Sequence, residues 1–208
     1  MTQIKLAIIY YSATGANHQM AQWAAEGARG TGAEVRLLRL QETAPESAVS
    51  ANPAWDKNLQ ATKDVQVAAI DDLEWADAII FSVPTRYGNM PVQAKQFFDM
   101  TGGLWFQGKL ANKVVSAMTS AMNVHGGQEA TLLSLYTTFY HWGAIVAAPG
   151  YTDPAIFASG GNPYGASATA DGEGNIQNAE QLQPAVTHQA RRTVQVADWV
   201  KQGMTNQQ

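Results

Sequence analysis

Three loops carry the residue types that could do chemistry in this chain. The first, Tyr11-Ser12-Ala13-Thr14-Gly15-Ala16-Asn17, follows an apolar run and precedes a helical pattern, and it offers two aliphatic hydroxyls, a carboxamide and small residues. Such a loop suits a phosphate. Main-chain N–H groups at a helix N-terminus and the hydroxyls of Ser12 and Thr14 can hold the anion without a lysine, helped by the helix dipole. Neither Gly-x4-Gly-Lys-Ser/Thr nor Gly-x-Gly-x-x-Gly is present. Helix capping by Ser12 or Thr14 is an equal reading of the loop in isolation, and its place after the first strand favours the phosphate. The second loop presents Thr85, Arg86, Tyr87 and Asn89, with Gly88 allowing close backbone approach. A planar heterocycle would find donors there, an Arg to stabilise negative charge and an aromatic side chain to cover a face. Taken alone, that loop reads more readily as a solvated arginine and a packed tyrosine. The third region holds Trp105 after Gly102-Gly103, able to wall a pocket, although core packing is a tryptophan's usual fate. Further on, His141 beside Trp142 could donate to a cofactor carbonyl or relay a proton, with a satisfied interior histidine the commoner outcome. His18, His125 and His188 lack metal-ligand spacing, so no metal is expected, and no Gly-x-Ser-x-Gly marks a hydrolase elbow.

The elements that must position these loops alternate. Residues 4–10 form a nearly continuous β-branched and apolar run, as in a strand buried on both faces of a parallel sheet. Met20, Trp23, Ala24, Gly27 and Ala28 predict a helix over about 17–29, ended by Gly30 and Gly32. Further strands are predicted at 35–40, 78–83, 114–118 and 144–148. Helices are expected after Pro91, stopped by Gly102-Gly103, then around Leu132–Phe139, and finally over Val186–Val200. Five such alternations give an α/β fold, a doubly wound five-stranded parallel sheet with helices on both faces. Ligands in that architecture bind beyond the carboxyl ends of the strands, which selects the loops at 11–17, 84–90 and 119–127. Residues 41–68 read as a polar excursion, and 156–178 as a long connection that is either functional or mobile.

Composition narrows the chemistry. The chain has 208 residues, 46% hydrophobic and 14% charged, which suits one globular domain over 1–208 with those two excursions. A net charge of −4 argues against a broad nucleic-acid or anionic-membrane surface. With no cysteine, thiol nucleophiles, disulfides and thiolate metal sites are excluded, so redox chemistry requires a borrowed cofactor. No basic leader, sequon or apolar run of about 20 residues is seen, and a cytoplasmic protein without a membrane span is expected.

Five blocks occur together and in order: Tyr10-Tyr11-Ser12 with Thr14-Gly15, Pro84-Thr85-Arg86-Tyr87-Gly88-Asn89-Met90, Thr101-Gly102-Gly103-Leu104-Trp105, Gly126-Gly127-Gln128-Glu129, and Gly160-Gly161-Asn162-Pro163-Tyr164-Gly165-Ala166. Over nearly the whole chain this pattern resembles the WrbA family of flavodoxin-like NAD(P)H:quinone oxidoreductases. The resemblance implies noncovalent FMN, its phosphate on Ser12, Ala13, Thr14, Gly15, Ala16 and Asn17 and its ring beside Thr85, Arg86 and Tyr87. It carries over Ala121, Met122, Asn123, Val124, His125, Gly126 and His141 to the flavin site as well. Thr14 is carried over to NADH or NADPH, and Trp105 to the quinone. The family usually has Ser, Thr and Gly before Gly126-Gly127, and here bulkier residues leave main-chain N–H contacts as the surviving kind. Also implied are a hydride relay from NAD(P)H through FMN to a quinone with ping-pong kinetics, no indispensable acid or base beyond assistance from His141 and Arg86, and a homotetramer with sites at subunit contacts. A flavodoxin-type one-electron carrier docking to protein partners and a non-catalytic interaction protein on the same fold are the alternatives.

Overall fold

The computed structural model describes residues 3–205. The apolar run at the start becomes β1 (Lys5–Tyr10), and α1 (Ala16–Arg29) and β2 (Glu34–Arg39) follow. Where a polar excursion was expected, the chain builds α2 (Glu46–Ser50) and α3 (Pro53–Ala61). The second of these starts on a local signal: Asn52 accepts from the N–H groups of Ala54 and Trp55, and Pro53 occupies the first turn, where no N–H is needed. Next come α4 (Ile70–Trp75), β3 (Ala78–Pro84), α5 (Val92–Asp99) and α6 (Gly102–Phe106). Gly102 and Gly103 therefore open a short helix rather than only stopping the one before, because Thr101 accepts from Trp105 N–H at 3.0 Å. The chain continues through β4 (Val114–Ala121), α7 (Gln128–His141), β5 (Ile145–Val146), α8 (Pro154–Ala158), β6 (Ser167–Thr169) and α9 (Ala179–Thr205). No helix among the described residues is long and apolar enough to cross a membrane.

The sheet is parallel with order β2-β1-β3-β4-β5, the doubly wound arrangement expected from the alternation. β3 and β4 are buried along their whole lengths, which is why they read as unbroken apolar runs. Along β1 the side chains divide by parity: Ala7 and Ile9 enter a core with Phe81, Phe98 and Phe139, while Leu6, Ile8 and Tyr10 enter a second core with Met20, Val186 and Ala190. Phe81 packs 4.9 Å from Phe98 and 5.4 Å from Phe139, so α5 and α7 are anchored beside the loops that precede them.

The fifth strand position is split. β5 pairs with Val114 and Val115 at one end of β4, and β6 pairs with Thr119–Ala121 at the other, both on the side that β3 leaves open. The predicted 144–148 strand stops early because the ladder ends with Ala147 N–H on Val115 and Pro149 has no N–H to extend it. Residues 156–178 supply the end of α8, all of β6 and a turn at 171–175.

Strand order reverses between β1 and β3, so the crevice beyond their carboxyl ends is open to a ligand. Tyr10 pairs with Ser82, and Pro84 with Ser120, which brings the three loops selected from sequence to one end of the sheet.

Candidate functional site

The first loop is shaped for an anion. Gly15 caps α1 with φ 114°, a left-handed conformation that glycine adopts without a steric cost, and no side chain caps the helix. The N–H groups of Ala16, Asn17 and His18 lie in its first turn, where none has an intrahelical acceptor. Ser12 Oγ accepts from Gly15 N–H at 2.9 Å and keeps its own proton to donate. Asn17 plays a different part from that of a carboxamide free to bind ligand. Its side chain, 1% exposed, donates to Ser82 Oγ at 3.2 Å and accepts from Ser120 Oγ at 2.6 Å, while Ser82 donates back to the Asn17 carbonyl at 3.0 Å. This buried chain ties the ends of β3 and β4 to α1.

Glycines set the fit of the other loops. Arg86 and Asn89 exchange both main-chain hydrogen bonds at 2.7 and 3.0 Å, with Tyr87 at φ 55° and Gly88 at φ 76° between them, a type I′ turn. Tyr87 is thus a non-glycine residue held left-handed and fully exposed at the cleft mouth. Thr85 Oγ1 accepts from Gly88 N–H at 3.2 Å and from Thr131 Oγ1 at 2.7 Å, fixing that turn to α7. A Cβ on Gly127 would come within 2.7 Å of Gly88 Cα, so the two loops can touch only through glycine. A Cβ on Gly174 would lie 2.0 Å from the Thr14 carbonyl, which seats the 171–175 turn on the first loop.

Together these loops enclose a cleft of about 590 Å³. Ser12, Ala13, Thr14, Ala16 and Asn17 line it, as do Thr85, Arg86, Tyr87, Ala121, Met122, Asn123 and Gly126. Gly15 stands just beside it, in a neighbouring hollow that also includes Thr14 and His18. Val124 and His125 are exposed and outside the lining, and Met122 is 71% exposed at its edge. Ser120, Asp171, Asn52 and Trp55 line the cleft without having been singled out from sequence. Asn52-Pro53 was the local signal for the segment that brings Trp55. Arg86 is the only cation in the described lining and Asp171 the only carboxylate. Hydrogen bonds from Asn175, Glu173 and Gly174 hold Asp171 below the usual carboxylate range, so it remains ionised at neutral pH. The attraction for a phosphate must therefore come mainly from N–H groups and hydroxyls.

Trp105 and His141 stand elsewhere in the protomer. They share a separate hollow with Phe98, Thr101 and Thr138, where Trp105 Nε1 donates to the His141 carbonyl at 2.9 Å. Both are exposed, and so is Phe106 next to them.

Residues 4–153 match the family described as NADPH-dependent FMN reductase. The chain is 55% identical over 193 residues to an NAD(P)H dehydrogenase (quinone) of Deinococcus radiodurans, covering 93% of this chain and 95% of that protein. It is 40% identical over 205 residues to one of Aromatoleum aromaticum, covering 96% and 99%. In fold it is similar to a flavodoxin, WrbA-like protein from Agrobacterium tumefaciens, with TM-score 0.62 at 22% identity over 96% of this chain and 99% of that one. The two-electron reduced flavodoxin of Megasphaera elsdenii aligns with TM-score 0.55 at 17% identity, covering 91% and 98%. The chain belongs to the NADPH-dependent FMN reductase family.

Proposed function

We propose that this protein is an FMN-dependent NAD(P)H:quinone oxidoreductase. The observation that carries the reading is the uncapped first turn of α1, opening with the Ser12 hydroxyl onto a cleft of about 590 Å³. That volume falls within the usual range for cofactor sites, and three free N–H groups fit a phosphate monoester. When bound, FMN supplies the hydride-accepting and hydride-donating chemistry that no side chain of this cysteine-free chain can provide.

The chain's own residues bind and orient. Ser12, Ala13, Thr14, Gly15, Ala16 and Asn17 take the phosphate, chiefly through main-chain N–H groups. Thr85, Arg86 and Tyr87 border the ring, and the Arg86 guanidinium places positive charge where the cofactor becomes electron-rich. Main-chain groups of 121–126 complete the rim. Thr14 faces the dinucleotide. Trp105 and His141 belong to a face that meets another subunit of a homotetramer, which brings the Trp105 ring to the quinone and the His141 imidazole to the flavin of a neighbour. Their exposure, and that of Phe106, at 85%, support that assembly.

One cleft serving both substrates in turn requires NAD(P)⁺ to leave before the quinone enters. Initial rates at several fixed benzoquinone concentrations should give parallel double-reciprocal lines against NADH or NADPH. Intersecting lines would contradict a shared place.

A further inference from the structure

One carboxylate behind the cleft gathers five donors. Glu42 Oε1 accepts from the N–H groups of Thr43 and Ala44, each at 2.9 Å, and from Gln93 Nε2 at 2.8 Å. Its Oε2 accepts from the Tyr11 hydroxyl at 3.0 Å and the Trp55 indole N–H at 2.9 Å. The partners come from the residue preceding Ser12, from Glu42's own turn, from α3 and from α5. Burial pushes the Glu42 carboxyl up, but the hydrogen bonds from Ala44, Gln93, Trp55 and Tyr11 outweigh it and the net shift is downward. Burial and the neighbouring Glu42 charge push the Tyr11 hydroxyl up, so it remains a donor.

α3 needs such a tie. It has no buried residue, so no apolar anchor of its own holds it to the sheet. Two polar ties reach it instead: Trp55 to Glu42, and Asn58 Nδ2 to the Ser12 carbonyl at 2.8 Å. Trp55 is the residue through which α3 lines the cleft. We propose that Glu42 is a positioning residue that latches α3 over the cleft, so that the Trp55 ring and the Asn58 brace on the Ser12 loop set the affinity for FMN. The inference rests on the reading of the cleft as an FMN site and goes beyond it by assigning Glu42, Trp55 and the segment between β2 and α4 to cofactor retention.

The variant Glu42→Gln keeps the shape but turns an N–H₂ group toward two donors, and Trp55→Phe keeps a ring but removes the indole N–H. Each should raise the FMN dissociation constant, measured by quenching of FMN fluorescence, by roughly 10- to 100-fold, the range for losing a hydrogen bond to a charged group. The double variant should cost no more than the larger single one, since both cut the same tie. In protein labelled with 5-fluorotryptophan, the Trp55 ¹⁹F resonance, assigned by its loss in Trp55→Phe, should shift on adding FMN to the wild type, and in Glu42→Gln apoprotein it should already be displaced or broadened. Val194→Ala in α9, a core truncation far from the cleft, supplies a control that lowers the melting temperature with the FMN constant unchanged. If Glu42→Gln and Trp55→Phe bind FMN as the wild type does, the latch is wrong even if both melt earlier. If the wild-type protein itself fails to bind FMN, the reading of the cleft fails first.

Discussion

The indole N–H of Trp105 donates to the main-chain carbonyl of His141 at 2.9 Å, joining α6 to the end of α7 on a face distinct from the cleft. With this bond made, Trp105 is still 54% exposed. Replacing Trp105 with Ala should therefore spare the FMN constant and raise the KM for benzoquinone by roughly 2- to 10-fold, the usual worth of one aromatic contact. Unchanged quinone kinetics would remove Trp105 from the substrate site.

Phe106 tests the assembly itself. At 85% exposure it makes little contribution to the protomer's core, so Phe106→Glu should leave the fold intact while burying a charge in any subunit contact it occupies. Sedimentation should find the wild type tetrameric and the variant dissociated, with quinone turnover reduced and FMN retained. A wild-type monomer with full activity would overturn the shared site.

Gly174 probes the closure of the first loop. An alanine there must adopt φ 88°, at roughly 1–2 kcal/mol, before its Cβ overlaps the Thr14 carbonyl. The turn at 171–175 has to lift away, and the FMN constant should rise about tenfold or more. Gly203, in α9 and outside the cleft lining, has open space around it, and its alanine variant should bind FMN within about twofold of the wild type. Equal effects of the two would contradict the seating of that turn on Thr14.

Asn17 separates support from contact. Asn17→Ala leaves Ser82 and Ser120 without their buried partners, a loss of about 1–3 kcal/mol, and at this chain length each kcal/mol lowers the Tm by about 2–4 °C. Calorimetry of the apoprotein should show that fall. An unchanged Tm would mean the buried chain does not hold the strand ends.

His18 makes stability depend on pH. Burial lowers its pKa, and its ring stacks on Tyr10 at 4.9 Å, so the fold favours the neutral imidazole. The unfolded chain takes up the proton first, near the ordinary value of about 6.5. The contribution is therefore complete above that pH, declines as pH falls below it, and levels off once the folded pKa is passed. Between pH 8 and 5 the apoprotein should lose more stability than His18→Gln, which cannot titrate. A parallel decline of the two would contradict the shift.

The sheet was legible because strands buried on both faces read as continuous apolar runs, as at 4–10, 78–83 and 114–118, and the loops at their carboxyl ends followed from topology. What stayed hidden was non-local. β6 is three small residues, Ser167–Thr169, with no pattern of their own, and only pairing with β4 makes them a strand. The partners of Glu42 include Tyr11, Trp55 and Gln93, which no periodicity connects. Asn17 was legible as a polar residue in the right loop, but its inward orientation depends on Ser82 and Ser120, which the fold alone brings beside it.

Electron transfer through a bound flavin is tested most directly by anaerobic stopped-flow on the FMN-loaded protein. NADH or NADPH should bleach the flavin absorbance, and benzoquinone mixed with the bleached protein should restore it, each at a rate no slower than steady-state turnover. A flavin that neither nicotinamide bleaches, or that stays bleached in benzoquinone, would contradict the account.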